Sequence, residues 1–227
     1  MALLGKAALA MWWDMAPGSL AEFEHWHSHE HFPERLGIPG FHRASRWRSA
    51  DGGDGIFVMY ELEDHDVLSS PAYLARLNSP TPWSTRMMPH HREMVRSQCR
   101  VLESRGCAVA GQALTIRLSP APGRDETLRS AIRALADRLA AAPGIAGIHL
   151  LRHETPPTPP TEEQRIRGHS DRMADWVLVV CGYDPGALAA AGGSVLDDTA
   201  LAAMGAAAGA WRGLYRLSLS STPADIG

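Results

Sequence analysis

ALAMWWDMAPG at residues 8–18 returns as ALTIRLSPAPG at residues 113–123, an offset of 105. A second pair, GIPGFH at 37–42 and GIAGIH at 144–149, follows in the same order at an offset of 107. Agreement in order and spacing marks a two-fold internal repeat, which governs how the residues between are read. In the first copy an apolar strand over 6–13 leads into a helix over 17–31 and strands over 41–48 and 55–61. A Pro-punctuated helical stretch over 64–97 and a strand near 99–103 complete it. The second copy reads alike: strand 112–118, helix 125–142, strands 146–153 and 175–182, Ala-rich helices over 185–208 and a last strand over 211–219. Each half has the order β-α-β-β-α-β, the ferredoxin-like unit, and the chain divides into repeats 1–107 and 108–227. IFVMY (56–60) and WVLVVC (176–181) are continuous apolar runs, which belong to sheets buried on both faces. A unit's own helices cover one face, so the other repeat must cover the second. The expected fold is α+β, with two tandem ferredoxin-like repeats whose antiparallel sheets pack into one intrachain α+β barrel.

Composition removes several function classes. The 227 residues are 45% hydrophobic and 21% charged with a net charge of −3, a balance that excludes dominant disorder and argues against nucleic acid as a partner. No run approaches the roughly 20 apolar residues of a membrane span. Lys6 and Asp14 interrupt the apolar start, which argues against a secretory signal and for a cytoplasmic protein. Cys99, Cys107 and Cys181 are odd in number and form no CxxC pair, so neither a disulfide framework nor a zinc knuckle is expected. Walker, GxGxxG and GxSxG patterns are absent, and no redox cofactor is implied.

Chemistry concentrates in EHWHSHEH, residues 24–31, where four histidines alternate. At 100° per residue they form two i,i+4 pairs. His25 and His29 share a face expected to be solvated. His27 and His31 share the face of Leu20 and Phe23, near Trp26, which points toward the sheet. Pro33 is expected to end the helix at Phe32, leaving His31 in the last turn, where the helix dipole favours protonation and burial opposes it. Under either alignment of the repeats the second copy lacks these groups: Trp26, His27 and His31 fall on Ala131, Ile132 and Ala136, or His31 on Arg138. The site is therefore placed in the first repeat, with the second as a barrel-closing scaffold.

Trp26-x4-His31-x-Pro33-Glu34-Arg35-Leu36, followed by Ile38-Pro39-Gly40-Phe41 and Arg46-Trp47, resembles a stretch of the EthD-like proteins, a mostly bacterial dimeric α/β-barrel superfamily with a Trp…His-x-Pro helix end. The resemblance implies a helix–sheet cavity for a small, often aromatic molecule, with the helix-end histidine reaching into it. It extends to the whole chain only as architecture, and the fold hosts many reactions. A fused repeat supplies internally what single-repeat relatives obtain by pairing, so a monomer or a homodimer is expected.

The expectation drawn from these residues is a small-molecule enzyme without a redox cofactor. His31, with His27, moves a proton in an isomerase, dehydratase or cyclase reaction on a carbonyl-bearing or aromatic substrate. Decarboxylation and cofactor-free oxygenation stay open. Arg46 or Arg86 would hold an oxyanion, Tyr60 could donate to a substrate oxygen, and Trp26 and Trp83 would form walls, with His90 nearby. Two rivals stand beside it: a non-catalytic ligand-binding or stress-associated protein, and a metal- or haem-dependent enzyme using the His27/His31 pair with Asp14 or Glu30. The Pro-rich stretch 154–171 replaces the short turn at 49–54 and reads as an exposed excursion or as a lid over a cleft.

Overall fold

The computed structural model describes residues 3–53, 55–156, 158–168 and 171–226. Eight antiparallel strands close a barrel in the order β1-β3-β2-β8-β5-β7-β6-β4. The first repeat supplies β1 (Ala7–Met15), β2 (Phe41–Ser49), β3 (Gly55–Leu62) and β4 (His91–Gly106), and the second supplies β5 (Gln112–Leu118), β6 (Ile145–His153), β7 (Trp176–Gly182) and β8 (Trp211–Ser221). The repeats join at two seams, β2 on β8 and β4 on β6. The expected α+β barrel of two ferredoxin-like repeats is thus the architecture observed.

Alternation along the strands divides the apolar residues into three layers. Trp12, Trp47, Phe57, Val95, Leu151, Val177, Val179 and Tyr215 fill the barrel interior, drawn from both repeats. The rings of Trp12 and Trp47 stack on Phe57 with centroids 5.0 and 5.1 Å away. On the outer face of the second repeat, helix α5 (Asp125–Leu139) presses Leu128, Ile132, Leu135 and Ala136 onto the sheet. On the outer face of the first, Phe23, Trp26 and Phe32 meet Leu9, Trp13, Ile56, Val58 and Tyr60.

Two elements differ from the sequence reading. The site helix does not stop at Phe32: α1 (Leu20–Trp26) passes through a π turn (His27–His31) into α2 (Phe32–Leu36), and Phe32 keeps right-handed helical angles of −64° and −49°. The Phe32 N–H donates to the His27 carbonyl, five residues back. This wider turn directly precedes Pro33, which has no N–H to continue the ladder. Side chains take up carbonyls loosened nearby: Ser28 Oγ donates to the Glu24 carbonyl (2.6 Å), and His29 Nδ1 to that of His25 (3.0 Å). Strand β4 begins at His91, where the sequence suggests helix up to 97. Residues 91–98 mix polar and apolar types because their two faces meet different surroundings.

The β4–β6 seam depends on close backbone approach. A Cβ on Gly147 would lie 2.2 Å from the Cys107 carbonyl oxygen, and one on Gly106, at φ +70°, would lie 2.1 Å from that of Ala146. Gly147→Ala is expected to lower stability by about 1–3 kcal/mol, the usual cost of overpacking. Urea denaturation reads this as a lower midpoint at unchanged m-value.

Candidate functional site

A cavity of about 730 Å³ opens between the helices and the outer sheet face of the first repeat. Its floor is Leu9, Met11 and Trp13 of β1, Tyr60 of β3, and Met94, Arg96 and Gln98 of β4. The site helix lends Trp26, His27, His31 and Arg35 as one wall. The opposite wall is Leu68, Tyr73 and Leu77, with Met88 and His91 at its end; Tyr73 and Leu77 belong to α3 (Pro71–Leu77). The roof comes from the 154–171 excursion, including α6 (Glu162–Arg167), so that segment covers the cavity. Pro157, His169 and Ser170 of this excursion lie outside the described residues.

Local chemistry explains why α6 seats where it does. Thr161 and Gln164 form a capping box, and Gly168 ends the helix in the left-handed conformation at φ +76°. Ile166 packs on the first-repeat core. Arg35 of α2 and Glu163 of α6 form an ion pair with both side chains almost fully buried, tying the roof to the site helix. Burial opposes the Arg35 charge, but Glu163 outweighs it, so the Arg35 pKa is raised.

At the inner end, the His27 and His31 rings stack with centroids 5.2 Å apart and planes 26° from parallel, and the Trp26 ring lies 4.5 Å from His31. The π turn brings these side chains nearly over one another. Among the described residues, three buried polar atoms on cavity-lining side chains have no hydrogen-bond partner: His31 Nδ1, Arg35 Nη1 and the Tyr60 hydroxyl. His31 is held well below the usual histidine range by burial, then by the charges of Arg35, His91 and Arg167. His27 is lowered in the same direction by burial, His31 and Arg46. His91, whose Nδ1 lies 3.1 Å from the carbonyls of both Met87 and Met88, is pushed down to about 4, mainly by burial. Burial therefore outweighs any dipole effect at His31, and the imidazoles are neutral at neutral pH. Burial raises the Tyr60 phenol, which stays protonated as a donor.

The sequence candidates divide. Trp26, His27, His31 and Tyr60 border the cavity; Arg46, Trp83, Arg86 and His90 do not. Arg46 stands behind His27, its Nη1 3.5 Å from His27 Nδ1 and 3.3 Å from the Glu24 carbonyl, and so supports that ring from the rear. Trp83 sits edge-on to His25, with centroids 5.2 Å apart. Arg86 is exposed and donates to the Pro82 carbonyl, and His90 Nδ1 lies 3.2 Å from Ser19 Oγ. His25 and His29 are exposed, as their helical face implies. Glu30 accepts from Trp26 Nε1 (3.0 Å) and Thr81 Oγ1 (2.6 Å), and Asp14 borders a different depression with Gly55, Arg92 and Trp211. Among the described residues no three His, Cys, Asp or Glu side chains gather as metal ligands. Sequence reasoning passed over Arg35 and Arg96. Arg35 follows His31 by four residues, the one sequence signal that would have placed it on the same helix face.

No helix among the described residues is long and apolar enough to cross a membrane. No family model matches the chain, and no curated protein matches it. Solved structures do. A "Putative monooxygenase" from Fusobacterium nucleatum subsp. nucleatum aligns over 97% of this chain and 96% of its own at a TM-score of 0.62 and 9% identity. An anthrone oxidase-like protein aligns over 98% and 96% at 0.63 and 12%. A second "Putative monooxygenase", from Lactobacillus acidophilus, aligns over 96% and 97% at 0.60 and 8%. At such identities the likeness is one of fold: this chain is a single-chain, two-repeat α+β barrel of the dimeric α/β-barrel type.

Proposed function

We propose that the protein is an enzyme that removes a proton from a small carbonyl-bearing substrate held in the first-repeat cavity, with His31 as the base. The observation that carries this is the gathering of unpartnered buried polar atoms, His31 Nδ1, Arg35 Nη1 and Tyr60 Oη, on residues that line one cavity. Left unsatisfied, such groups cost stability; a substrate oxygen and its adjacent acidic carbon satisfy them. The neutral imidazole accepts the proton, and the enolate oxygen that forms is held by the Arg35 guanidinium and the Tyr60 hydroxyl. The same nearby cations weaken His31 as a base and stabilise the anion it generates, so they oppose protonation of the free site while favouring the reaction's product. His27, packed on His31 and braced by Arg46, positions it. The second repeat closes the barrel and lends the roof.

The enolate is common to several outcomes. Reprotonation at another carbon gives an isomerase, loss of hydroxide a dehydratase, attack on a second carbonyl a cyclase, and reaction with dioxygen a cofactor-free oxygenase. The structural likeness to two putative monooxygenases and an anthrone oxidase-like protein favours the last, and the first proton transfer is shared by all. Solvent deuterium exchange into 2-tetralone, a fused-ring ketone, tests that step without the native substrate. The wild-type protein is expected to accelerate exchange, and His31→Gln to lower the acceleration by about 10²–10⁴-fold while moving Tm only a few degrees. Unchanged exchange in the variant would overturn His31 as the base. Oxygen uptake measured beside it separates the oxygenase outcome. A Soret band or stoichiometric metal in the purified protein would transfer the reading to the metal- or haem-dependent rival.

The depressed histidines also set a pH dependence. Below about 6.5 the unfolded chain binds protons that the folded His27, His31 and His91 refuse. Stability is therefore full above that pH and falls as pH drops toward about 4, where His91 titrates in the fold. Thermal melts should show Tm flat above about pH 6.5 and declining below it, with a shallower decline in His91→Gln. A Tm that rises on acidification through this window would contradict the buried, neutral state.

A further inference from the structure

Four arginines border the cavity, and three are neutralised where they stand. Arg35 pairs with Glu163, Arg165 with Glu162 at 2.8 Å, and Arg167 with Asp171 at 2.7 Å. Arg96 is different: among the described residues no carboxylate lies within 4.0 Å of its guanidinium. It is half-buried on β4, beside Met11 of β1 in the strand register and flanked on the same strand face by Met94 and Gln98. Its Nη2 donates to the Tyr73 hydroxyl at 3.0 Å, which fixes the group and leaves its other N–H donors uncommitted. The carboxylates that line the cavity, Glu163 and Asp171, are committed to Arg35 and Arg167. His153 Nδ1 accepts from the Gln98 N–H (3.1 Å), and its Nε2 lies 3.0 Å from Thr155 Oγ1. Burial first, then the charges of His65 and Arg96, hold that ring below the usual histidine range against the pull of the Gln98 N–H and of Asp175. A cation removed from water without a counter-ion is costly, and the cost is recovered when an anion docks.

We propose that Arg96 is an anion subsite of this cavity and that the substrate is an amphipathic organic acid, an apolar ring body bearing a carboxylate. The carboxylate pairs with the Arg96 fork, which suits two parallel hydrogen bonds. The ring body lies along the apolar floor of Leu9, Met11 and Met94, and its carbonyl reaches the Arg35–Tyr60 end on another wall. This rests on the reading of the cavity as a substrate site and adds the substrate's charge and the residue that selects it.

Equilibrium binding tests the subsite without turnover. Trp13 and Trp26 border the cavity, so their fluorescence reports occupancy by 2-naphthoate and by its neutral counterpart 2-naphthamide. The wild-type protein is expected to bind the acid about tenfold or more tightly than the amide, as charge-assisted hydrogen bonds are stronger than neutral ones. Arg96→Met, which keeps the apolar stem, should erase that preference and leave affinity for the amide within about threefold. Arg96→Lys, a milder variant should Met disturb folding, should retain part of it. His31→Gln is expected to keep the full preference, so a failure of the proton-transfer reading leaves this one standing. Equal affinity for acid and amide in the wild type, no binding of either, or a preference that survives both Arg96 substitutions would overturn the proposal.

Discussion

The filled interior of the barrel decides where anything can bind. Trp12, Trp47 and Phe57 from the first repeat and Val177, Val179 and Tyr215 from the second meet inside the closed sheet. Interiors pack to the density of organic crystals, so a ligand must sit outside the barrel, between a sheet face and its helices. The repeat offers two such places. In the second, Leu128, Ile132, Leu135 and Ala136 of α5 press on the sheet. In the first, the helix carries His27 and His31 where α5 carries Ile132 and Ala136, and the layer opens into the cavity.

A wide, partly apolar opening on a barrel flank would be a liability if left bare. The second repeat supplies the cover through an excursion that has no counterpart in the first. Its attachment is electrostatic as well as apolar: the Arg35–Glu163 pair joins residues 128 positions apart, and Ile166 packs alongside. Such a buried pair gains little net stability over apolar contact, but breaking it strands a charge in a dry site. Arg35 therefore has two duties. One nitrogen holds the roof, and in the proposed reaction another, unpartnered, meets the oxyanion, so that closure of the site and stabilisation of charge share one guanidinium.

What the sequence made legible follows from what each residue faces. The strands of both repeats could be read because apolar runs such as 56–60 are buried on both sides, and the repeat offset carried the topology from one half to the other. The beginning of β4 could not. In HREMVRSQ one face of the strand enters the barrel as Val95 and Ser97, while the other meets the cavity as Met94, Arg96 and Gln98. A strand lining a polar cavity loses the pattern that identifies strands. Pro33 misled for a related reason: the rule that proline ends a helix assumes a regular ladder, and a π turn removes that premise. Arg46 reads as an oxyanion holder, and the sequence could not show that it stands behind His27, away from the cavity lining. Arg35 and Arg96 stayed hidden because their significance depends on partners, Glu163 present in one case and no carboxylate at hand in the other, that only the fold brings together or withholds.

The electrostatic state of the cavity joins these strands of argument. Three buried imidazoles are kept neutral where ordinary histidines would titrate near neutrality, partly by desolvation and partly by arginines packed around them. A pocket designed only for packing would gain nothing from a fourth, uncompensated guanidinium, because it costs solvation. An anion on Arg96 reverses that penalty. It gives the guanidinium the counter-ion that the fold withholds, and leaves Arg35 free for the charge that the proposed reaction develops elsewhere on the same molecule. In the proposed reaction one guanidinium thus holds the charge the substrate brings, and the other meets the charge that forms beside the neutral His31.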